Sequence, residues 1–360
     1  MIKNIKTFLV RLFAALNILV VIMMLMVGFV DYVNPATFHK VSFLGMGFPI
    51  LLVVNMTFLV FWLLFKWKMV IIPVLGFLIA YVPISIYVPL NLPSTLPDGT
   101  IKVMSYNVLG YHDMDGASSF DSIYNYLKNS EADIVCLQED HGIGGKLRKQ
   151  MDKLYPHMEK VQVGGAPFFN TLGFYSRYPI IRAERIEYES NGNGSAAFYI
   201  NVDGDTVIVI NNHFESNKLN PDDRDRYKHI LKGDVPKEQV TGESKRLLSK
   251  LADAAKKRAP QADVVRKYIE DHSQYPIIVC GDFNDNPLSY TRRVVAKDLY
   301  DCFVKTGRGL GLTYNRKGFN VRIDYIMCST HYEPYNCTVD DEMAVSDHNP
   351  IFCWMKMQEN

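Results

Sequence analysis

Charge is almost absent from the first 91 residues of this 360-residue chain. Six basic residues and one acidic residue occur there: Lys3, Lys6, Arg11, Lys40, Lys66, Lys68 and Asp31. The net charge of this segment is +5 (6 − 1). Soluble domains carry most of their charged side chains on the surface, so this scarcity argues against an ordinary soluble fold for the segment.

Three apolar runs occupy this segment, at 12–30, 43–65 and 69–90. Each has the ~20 apolar residues that a helix needs to cross a hydrocarbon core of about 30 Å. We therefore predict a membrane anchor at 1–91 with three transmembrane helices. The alternative is a cleaved signal peptide followed by core helices. It fits less well, because the first run is too long and no small-x-small cleavage site follows it.

The basic residues of this segment also predict its orientation. Three of them precede the first run, and Lys66 and Lys68 separate the second run from the third, whereas the loop 31–42 has only Asp31 and Lys40. Basic residues stay on the cytoplasmic side of a membrane. We expect a multi-pass protein whose N-terminus is cytoplasmic and whose remaining chain lies on the outer, periplasmic or extracellular, side.

A proline-rich linker at 92–100 precedes a soluble domain at 101–360. Residues 92–360 contain 33 basic (39 − 6) and 37 acidic (38 − 1) side chains, a net charge of −4 that argues against broad electrostatic binding of nucleic acid. Strand-like runs alternate with helical patterns, the longest at 242–271, which Pro260 either breaks or re-starts. This pattern predicts a core of two sheets with helices packed outside.

The soluble part also lacks two common kinds of site. No serine or cysteine lies in an activating nucleophile motif, and no pair of cysteines has zinc-finger spacing. All six cysteines follow the linker, at Cys136, Cys280, Cys302, Cys328, Cys337 and Cys353. Three of them lie inside apolar strand-like runs, which favours buried free thiols. One disulfide late in the chain remains the alternative.

Acids, amides and imidazoles stand where the predicted strands end. They are Asn107, Gln138, Glu139, His213, Asp282, Asn284, Asp324, Asp347 and His348. Any one of them alone is more typical of a turn or a helix cap, but aligned strands can bring the whole set into one cleft. Carboxylate oxygens suit Mg²⁺ or Mn²⁺, and the set predicts metal-assisted hydrolysis of a phosphoester by water.

Six short motifs carry a family resemblance: "SYNV", "LQE", "NHFES", "GDFN", "RIDYI" and "SDHNP". In this order they resemble the endonuclease/exonuclease/phosphatase superfamily over 101–356. That group includes pancreatic-type deoxyribonuclease, abasic-site endonucleases, neutral sphingomyelinases and inositol-polyphosphate 5-phosphatases. The resemblance implies an α/β fold, a four-layer α/β sandwich of two mixed sheets flanked by helices. It implies no obligate protein partner.

The resemblance also implies a metal site and a group that acts on water. Glu139 is similar to the family's principal metal ligand, with Asn107 and Asp347 as further ligands to Mg²⁺ or Mn²⁺. Asp282 is similar to the group that orients or deprotonates the attacking water. Asn284 is similar to the amide that holds this acid and contacts the phosphate.

Two imidazoles complete the catalytic set that the resemblance implies. His348 is similar to the phosphate-binding imidazole, and Asp324 to the carboxylate that aligns it. His213 is similar to a second imidazole, on a nonbridging phosphate oxygen. Arg258 and Gln261 belong to the long helical pattern, and either they point back to the substrate or they lie on a solvated helix face.

The substrate stays open between a phospholipid head group and nucleic acid, and between a diester and a monoester. The alternative to an enzyme is a catalytically inactive, membrane-anchored binding module of the same fold. It is disfavoured because every expected polar position is filled. The insertion at 216–241 follows His213, so we expect it beside the cleft, where it shapes substrate choice.

Overall fold

A computed structural model describes residues 2–141, 145–165, 168–218, 223, 237–316, 319–343 and 345–358. The α-helices, α1 to α10 in chain order, are Ile2–Gly28, Pro35–Phe38, Phe48–Phe65, Ile71–Ile79, Tyr81–Tyr87, Phe120–Ser130, Gly145–Leu154, Lys237–Asp271, Tyr290–Val295 and Cys302–Thr306. The strands, β1 to β14, are Ile101–Asn107, Ile134–Gln138, His157–Gly165, Phe168–Ser176, Ile180–Ile186, Gly194–Val202, Asp205–His213, Ile277–Asp282, Tyr300–Asp301, Tyr314–Arg316, Phe319–Val321, Asp324–Cys328, Tyr332–Val339 and Ile351–Met357. Short 3₁₀ helices occupy Val30–Tyr32, His39–Gly47, Trp67–Val70 and Leu109–Tyr111.

Two six-stranded sheets pack face to face, with strand orders β13-β14-β1-β2-β4-β3 and β5-β6-β7-β8-β12-β9. Alternating side chains of both sheets fill the space between them, where the rings of Phe174 and Phe198 stack at 4.5 Å. Helices α6 and α7 cover the outer face of the first sheet, and α8 covers that of the second. These layers confirm the predicted four-layer α/β sandwich.

The long helix α8 does not break at Pro260, so that prediction was wrong. Pro260 itself is exposed, while Ala259, Ala262 and Val265 are fully buried, the last two against the second sheet. A proline inside a helix removes one backbone hydrogen bond, at a cost of about 3 kcal/mol. Burial of the apolar face on both sides of the proline offsets this cost, and the helix continues.

The N-terminal segment contains two helical stretches that are long and apolar enough to cross a membrane, Asn4–Tyr32 and Pro35–Phe65. The third expected span, 69–90, is not one straight helix. Its two parts, Trp67–Ile79 and Tyr81–Tyr87, are bent by 63° and form a third span only if they count together. Pro83 explains the break, because it has no N–H to donate to the carbonyl of Ile79.

Buried amides connect these apolar helices. The Asn17 side chain accepts a hydrogen bond from Trp62 Nε1 at 3.0 Å and donates to Asn55 Oδ1 at 3.1 Å. Asn55 in turn donates to the carbonyl of Pro73 at 3.1 Å. Each buried amide thus has a partner on a different helix, which fixes how the helices face one another.

The N-terminal segment also contacts the sandwich at two places. Asn34, in the connection between α1 and α3, donates to Tyr290 Oη at 3.1 Å, and Arg293 Nε donates to the carbonyl of Asp31 at 3.0 Å. Farther along the chain, the buried Arg322 donates to the carbonyl of Ile86 in α5. The α1–α3 connection and the end of α5 therefore both lie against the sandwich.

All six cysteines are buried free thiols, as expected from their apolar surroundings, and the alternative of a late disulfide is not formed. Cys302 Sγ donates a hydrogen bond to Cys328 Sγ, and the two sulfur atoms are 3.8 Å apart. These thiols pack between the sheets as small apolar side chains.

Candidate active site

The strand order explains how distant residues meet at one edge of the sandwich. In the first sheet, β1 and β2 are parallel and end side by side at Asn107 and Gln138. In the second sheet, β7 and β8 are parallel and β12 is antiparallel, so His213, Asp282 and Asp324 form one row across three strands. The ends of two packed sheets thus face each other, and their polar side chains converge.

Unusual backbone conformations direct some of these side chains. Glu139 and Asn284 follow β2 and β8 with φ of 56° and 53°, in the left-handed region that non-glycine residues rarely adopt. Gly281, with φ of 132°, lies so close to the next strand that a Cβ would be 2.0 Å from the carbonyl oxygen of Asn212. The glycine of "GDFN" is therefore required by the close approach of β7 and β8.

A cavity of about 330 Å³ opens at this edge. Among its lining residues are those that the sequence analysis singled out: Asn107, Glu139, His213, Arg258, Asp282, Asn284, Asp347 and His348. Asp324 does not line the cavity but contacts His348 from behind. Of the insertion at 216–241, residues 219–222 and 224–236 lie outside the described residues, while Ser216, Asn217 and Lys218 line the cavity.

Asp282 is held at the centre of the site by three hydrogen bonds. Its Oδ1 accepts from the backbone N–H of Asn284 at 2.8 Å, and its Oδ2 accepts from the amides of Asn284 and Asn107, each at 3.2 Å. Burial raises the pKa of Asp282 to about 6, against the opposing charge of His348. The carboxylate is therefore oriented and poised to accept a proton.

His348 lies between two carboxylates, hydrogen-bonded to Asp324 and ion-paired with Asp282. Its Nδ1 lies 2.9 Å from Asp324 Oδ2, and its Nε2 lies 3.7 Å from Asp282 Oδ2. Burial alone lowers the pKa of His348, but Asp324 and Asp282 outweigh it and raise the pKa to about 10. The ring of Tyr314 packs edge-on against this imidazole at 5.2 Å. This geometry presents a cationic N–H to the cavity.

His213 is the neutral counterpart on the other side of Asp282. The amide oxygen of Asn170 accepts from the backbone N–H of Thr171, so its nitrogen donates to His213 Nδ1 at 3.1 Å. This network assigns the proton to Nε2, which lies 3.5 Å from Asp282 Oδ2. Burial lowers the pKa of His213. The two imidazoles thus differ in charge and flank one carboxylate.

Oxygen atoms suited to a divalent cation lie beside these groups. Glu139 Oε1 accepts from the Asn107 amide at 3.2 Å, and burial raises the pKa of Glu139, so a cation would stabilise its charged form. Asp347 Oδ2 pairs with Arg316 Nε at 3.0 Å, and Asn107 Oδ1 accepts from the N–H of Leu109 at 3.1 Å. This hard, oxygen-only donor set fits Mg²⁺ or Mn²⁺.

Metal-ligand spacing is found for a different group in the described part of the chain. Asp282, Asp324 and His348 offer donor atoms within 4.8 Å of one another. However, His348 Nδ1 and Asp324 Oδ2 already form a hydrogen bond with each other at 2.9 Å. We therefore interpret Asp324 and His348 as a hydrogen-bonded pair beside Asp282, and the oxygens around Glu139 as the candidate metal site.

Arg258 and Gln261 brace the cavity wall. Arg258, 3 % exposed, donates to Asp285 Oδ2 at 3.2 Å and to Asn217 Oδ1 at 2.9 Å. Gln261 accepts from the N–H of Glu215 at 3.0 Å. Both side chains are buried, so the expectation that they lie on a solvated helix face was wrong. Contact of Arg258 with substrate stays a prediction.

Replacing Arg258 with alanine is expected to destabilise the protein by about 3–5 kcal/mol, because Asp285 is left as a buried, unpaired charge. Thermal unfolding of the full chain would measure the loss. Lys257→Ala, an exposed position one residue away, is the matched control and should unfold as wild type does. Equal melting temperatures for the two variants would contradict the bracing role of Arg258.

The sequence analysis missed Asn170, which contacts His213, and several residues that line the cavity: Tyr314, Arg316, Ser42, Phe43 and Met46. The first three lie on strands or strand edges without any neighbouring motif. The last three belong to the N-terminal segment, which showed only apolar runs. No local signal marks such residues, since their proximity to the site depends on how remote segments pack.

The comparisons with known proteins agree with this fold. The model of the Endonuclease/Exonuclease/phosphatase family matches residues 104–348, which is more than half of the chain. The chain therefore belongs to the endonuclease/exonuclease/phosphatase family, whose enzymes are metal-dependent hydrolases of phosphoester bonds. A second family model, described as a domain of unknown function, matches residues 10–87. No curated protein matches the chain in sequence.

Solved structures share the fold at low sequence identity. The endonuclease/exonuclease/phosphatase from Bacteroides vulgatus has a TM-score of 0.50 and 16% identity, over 72% of this chain and 100% of its own. The one from Beutenbergia cavernae DSM 12333 has a TM-score of 0.52 and 13% identity, over 72% of each chain. D. rerio TDP2, complexed with single strand DNA product, has a TM-score of 0.50 and 15% identity, over 72% and 100%.

Proposed function

We propose that this protein is a membrane-anchored phosphoesterase that uses Mg²⁺ or Mn²⁺ to hydrolyse a phosphodiester or phosphomonoester. One observation carries the proposal. A buried carboxylate, Asp282, lies between a cationic and a neutral imidazole, in a cavity that also contains Glu139 and Asp347. This combination supplies a proton acceptor, phosphate-binding N–H groups and cation ligands around one small volume.

The mechanism assigns a task to each side chain. Asp282, oriented by the amides of Asn107 and Asn284, accepts a proton from the attacking water as the water oxygen bonds to phosphorus. The bond from phosphorus to the leaving oxygen breaks in the same in-line displacement, and the leaving oxygen takes a proton from solvent. His348, aligned by Asp324, donates its Nε2–H to the phosphate, where negative charge grows as water attacks. His213 donates its Nε2–H to a nonbridging oxygen.

Glu139, Asn107 and Asp347 would hold the cation in this mechanism. A bound divalent cation supplies further stabilisation of the charge on the phosphoryl oxygens. Asn284 contributes to phosphate binding as well as to the orientation of Asp282. Arg258 positions the neighbouring wall through Asp285 and Asn217, and its contact with substrate belongs to this proposal.

The proposed topology places the N-terminus in the cytoplasm and the catalytic domain, 101–360, on the outer side. Loop charge supports it, because Lys66 and Lys68 lie between the second and third apolar stretches. The contacts of the sandwich support it too. Both the α1–α3 connection and Ile86 contact the sandwich, so they lie on the same side of the membrane as the sandwich. The bent pair α4 and α5 would therefore have to cross the membrane as the third span.

A catalytically inactive binding module is the competing function. It requires that the family's catalytic positions be degraded, whereas these side chains are present and joined by hydrogen bonds in one cavity. D. rerio TDP2, which was solved with a single strand DNA product, is only 15% identical to this chain. At this identity the likeness supports the fold, and the substrate of this chain stays open.

Metal dependence tests the proposal directly. Hydrolysis of bis(p-nitrophenyl) phosphate by the full chain in phospholipid vesicles is expected to fall to background with EDTA and to return with excess Mg²⁺ or Mn²⁺. The same vesicles without protein provide the control. Hydrolysis that persists after complete chelation, or no hydrolysis with either metal, would count against the proposed function.

A further inference from the structure

The N-terminal segment forms part of the catalytic cavity. Ser42, Phe43 and Met46, all in the 3₁₀ helix His39–Gly47, line the same cavity as Asp282. We name His39–Gly47 the wall segment. It belongs to the connection between α1 and α3, far from the catalytic domain in sequence. The catalytic cavity is therefore composite.

Close backbone packing seats the wall segment on the sandwich. A Cβ at Gly45 would lie 2.7 Å from both Asn286 Oδ1 and the carbonyl oxygen of Leu288, so only glycine allows this approach. Leu288 is itself fully buried in the apolar cluster that includes Phe48 and Tyr87. The contact is thus continuous with the packing of the apolar helices.

The cavity lies close to the ends of the apolar helices. Met46 precedes Phe48, the first residue of the apolar helix Phe48–Phe65, by two residues, or ~3 Å of helical rise. At another wall, Val321 and Ile323 line the cavity, and Arg322 between them donates to the carbonyl of Ile86. If these helices span the membrane, the cavity lies at its surface, with apolar side chains toward the hydrocarbon.

The charges of the cavity disfavour a polyanionic substrate. Each cationic side chain of Lys or Arg in its described lining has a carboxylate partner. Lys218 Nζ lies 3.2 Å from Glu215, Arg258 Nε lies 3.2 Å from Asp285, and Arg316 Nε lies 3.0 Å from Asp347. A nucleic-acid site needs an open track of unpaired basic groups, whereas this cavity combines paired charges with an apolar wall.

We propose that the wall segment determines specificity and that the substrate is an amphiphilic phosphoester of the same bilayer. Its phosphate reaches Asp282 and His348, while its apolar part lies against Phe43 and Met46. This inference rests on the proposed function and names the substrate class for that site. It assigns a substrate-binding task to residues outside the catalytic domain.

A homologous series of substrates tests the inference. Methyl, butyl and octyl p-nitrophenyl phosphodiesters are compared by kcat/KM with the full chain in phosphatidylcholine vesicles. The octyl-to-methyl ratio is expected to be well above one, since each buried methylene contributes up to about fourfold. In the double variant Phe43→Ala/Met46→Ala, this ratio is expected to fall by about tenfold.

Leu44→Ala is the matched control, because Leu44 lies in the wall segment but is 40% exposed and does not line the cavity. Leu44→Ala should keep the wild-type octyl-to-methyl ratio of kcat/KM. Longer esters partition into the vesicles equally for both variants, so a difference between them reports on the cavity. Should the double variant fail to fold, Phe43→Leu and Met46→Ala are measured separately in the same way.

The outcomes separate the two proposals. If wild type hydrolyses the methyl ester, but the double variant has the same octyl-to-methyl ratio of kcat/KM as wild type, the inference is overturned and the phosphoesterase function stands. Efficient turnover of single-stranded DNA that is indifferent to these substitutions would also overturn it. If wild type hydrolyses none of the esters with Mg²⁺ or Mn²⁺, the proposed function itself fails.

Discussion

Asp282→Asn is expected to lower kcat/KM for phosphoester hydrolysis by about 10²–10³-fold. The substitution keeps the size of the side chain but removes the negative charge that lies 3.5 Å from His213 Nε2 and 3.7 Å from His348 Nε2. An amide cannot accept the proton of the attacking water. The new amino group would also face the amide of Asn107 or Asn284, each of which already donates to this position.

The measurement is steady-state hydrolysis of a soluble aryl phosphodiester by the full chain with saturating Mg²⁺. Asp205→Asn makes the same chemical change at an exposed position at the opposite end of β7, and should retain wild-type activity. Unfolding curves verify that both variants are folded. A folded Asp282→Asn variant with near-wild-type kcat/KM would remove Asp282 from the proposed mechanism.

Glu139→Gln is expected to lower activity by a similar factor, but through the cation. The candidate metal site has two carboxylates. Asp347 is hydrogen-bonded to Arg316, whereas no hydrogen bond from a basic side chain to Glu139 is found among the described residues. Loss of its charge should weaken cation binding as well as turnover. Titration with Mn²⁺, followed by electron paramagnetic resonance, measures the affinity independently of activity.

The control for this variant is Glu159→Gln, which neutralises an exposed glutamate on β3. It should leave both the Mn²⁺ affinity and kcat/KM unchanged. Because excess cation partly compensates for a weak site, the activity of Glu139→Gln should recover in part at high Mg²⁺. Wild-type Mn²⁺ affinity in folded Glu139→Gln would show that the cation binds elsewhere, for example at Asp324 and His348.

The sequence predicted the fold class and the location of the site because both depend on local patterns. Apolar runs that end in polar residues identify strands and their ends, and parallel pairs such as β1–β2 and β7–β8 bring these ends to one edge. Asn107, His213 and Asp282 could therefore be assigned to one cavity without coordinates. Their catalytic roles remain predictions until the variants are measured.

Local patterns failed where packing overrides propensity. Pro260 lies inside a continuous helix because the apolar residues on both sides of it are buried, those after it against the second sheet. Conversely, the apolar run at 69–90 predicted a single helix, but Pro83 divides it. In each case the proline was visible in the sequence, and its effect depended on the contacts of its neighbours.

By itself, the sequence determined which side chains stand at the strand ends, and how many apolar stretches precede them. The tertiary structure decided which atoms meet. It assigned the proton of His213 through Asn170, paired Asp347 with Arg316, and brought Phe43 to the cavity that contains Asp282. The reason is physical: periodicity reflects neighbours within a few residues, whereas these contacts join segments that only the packing of the whole chain brings within hydrogen-bonding or van der Waals distance.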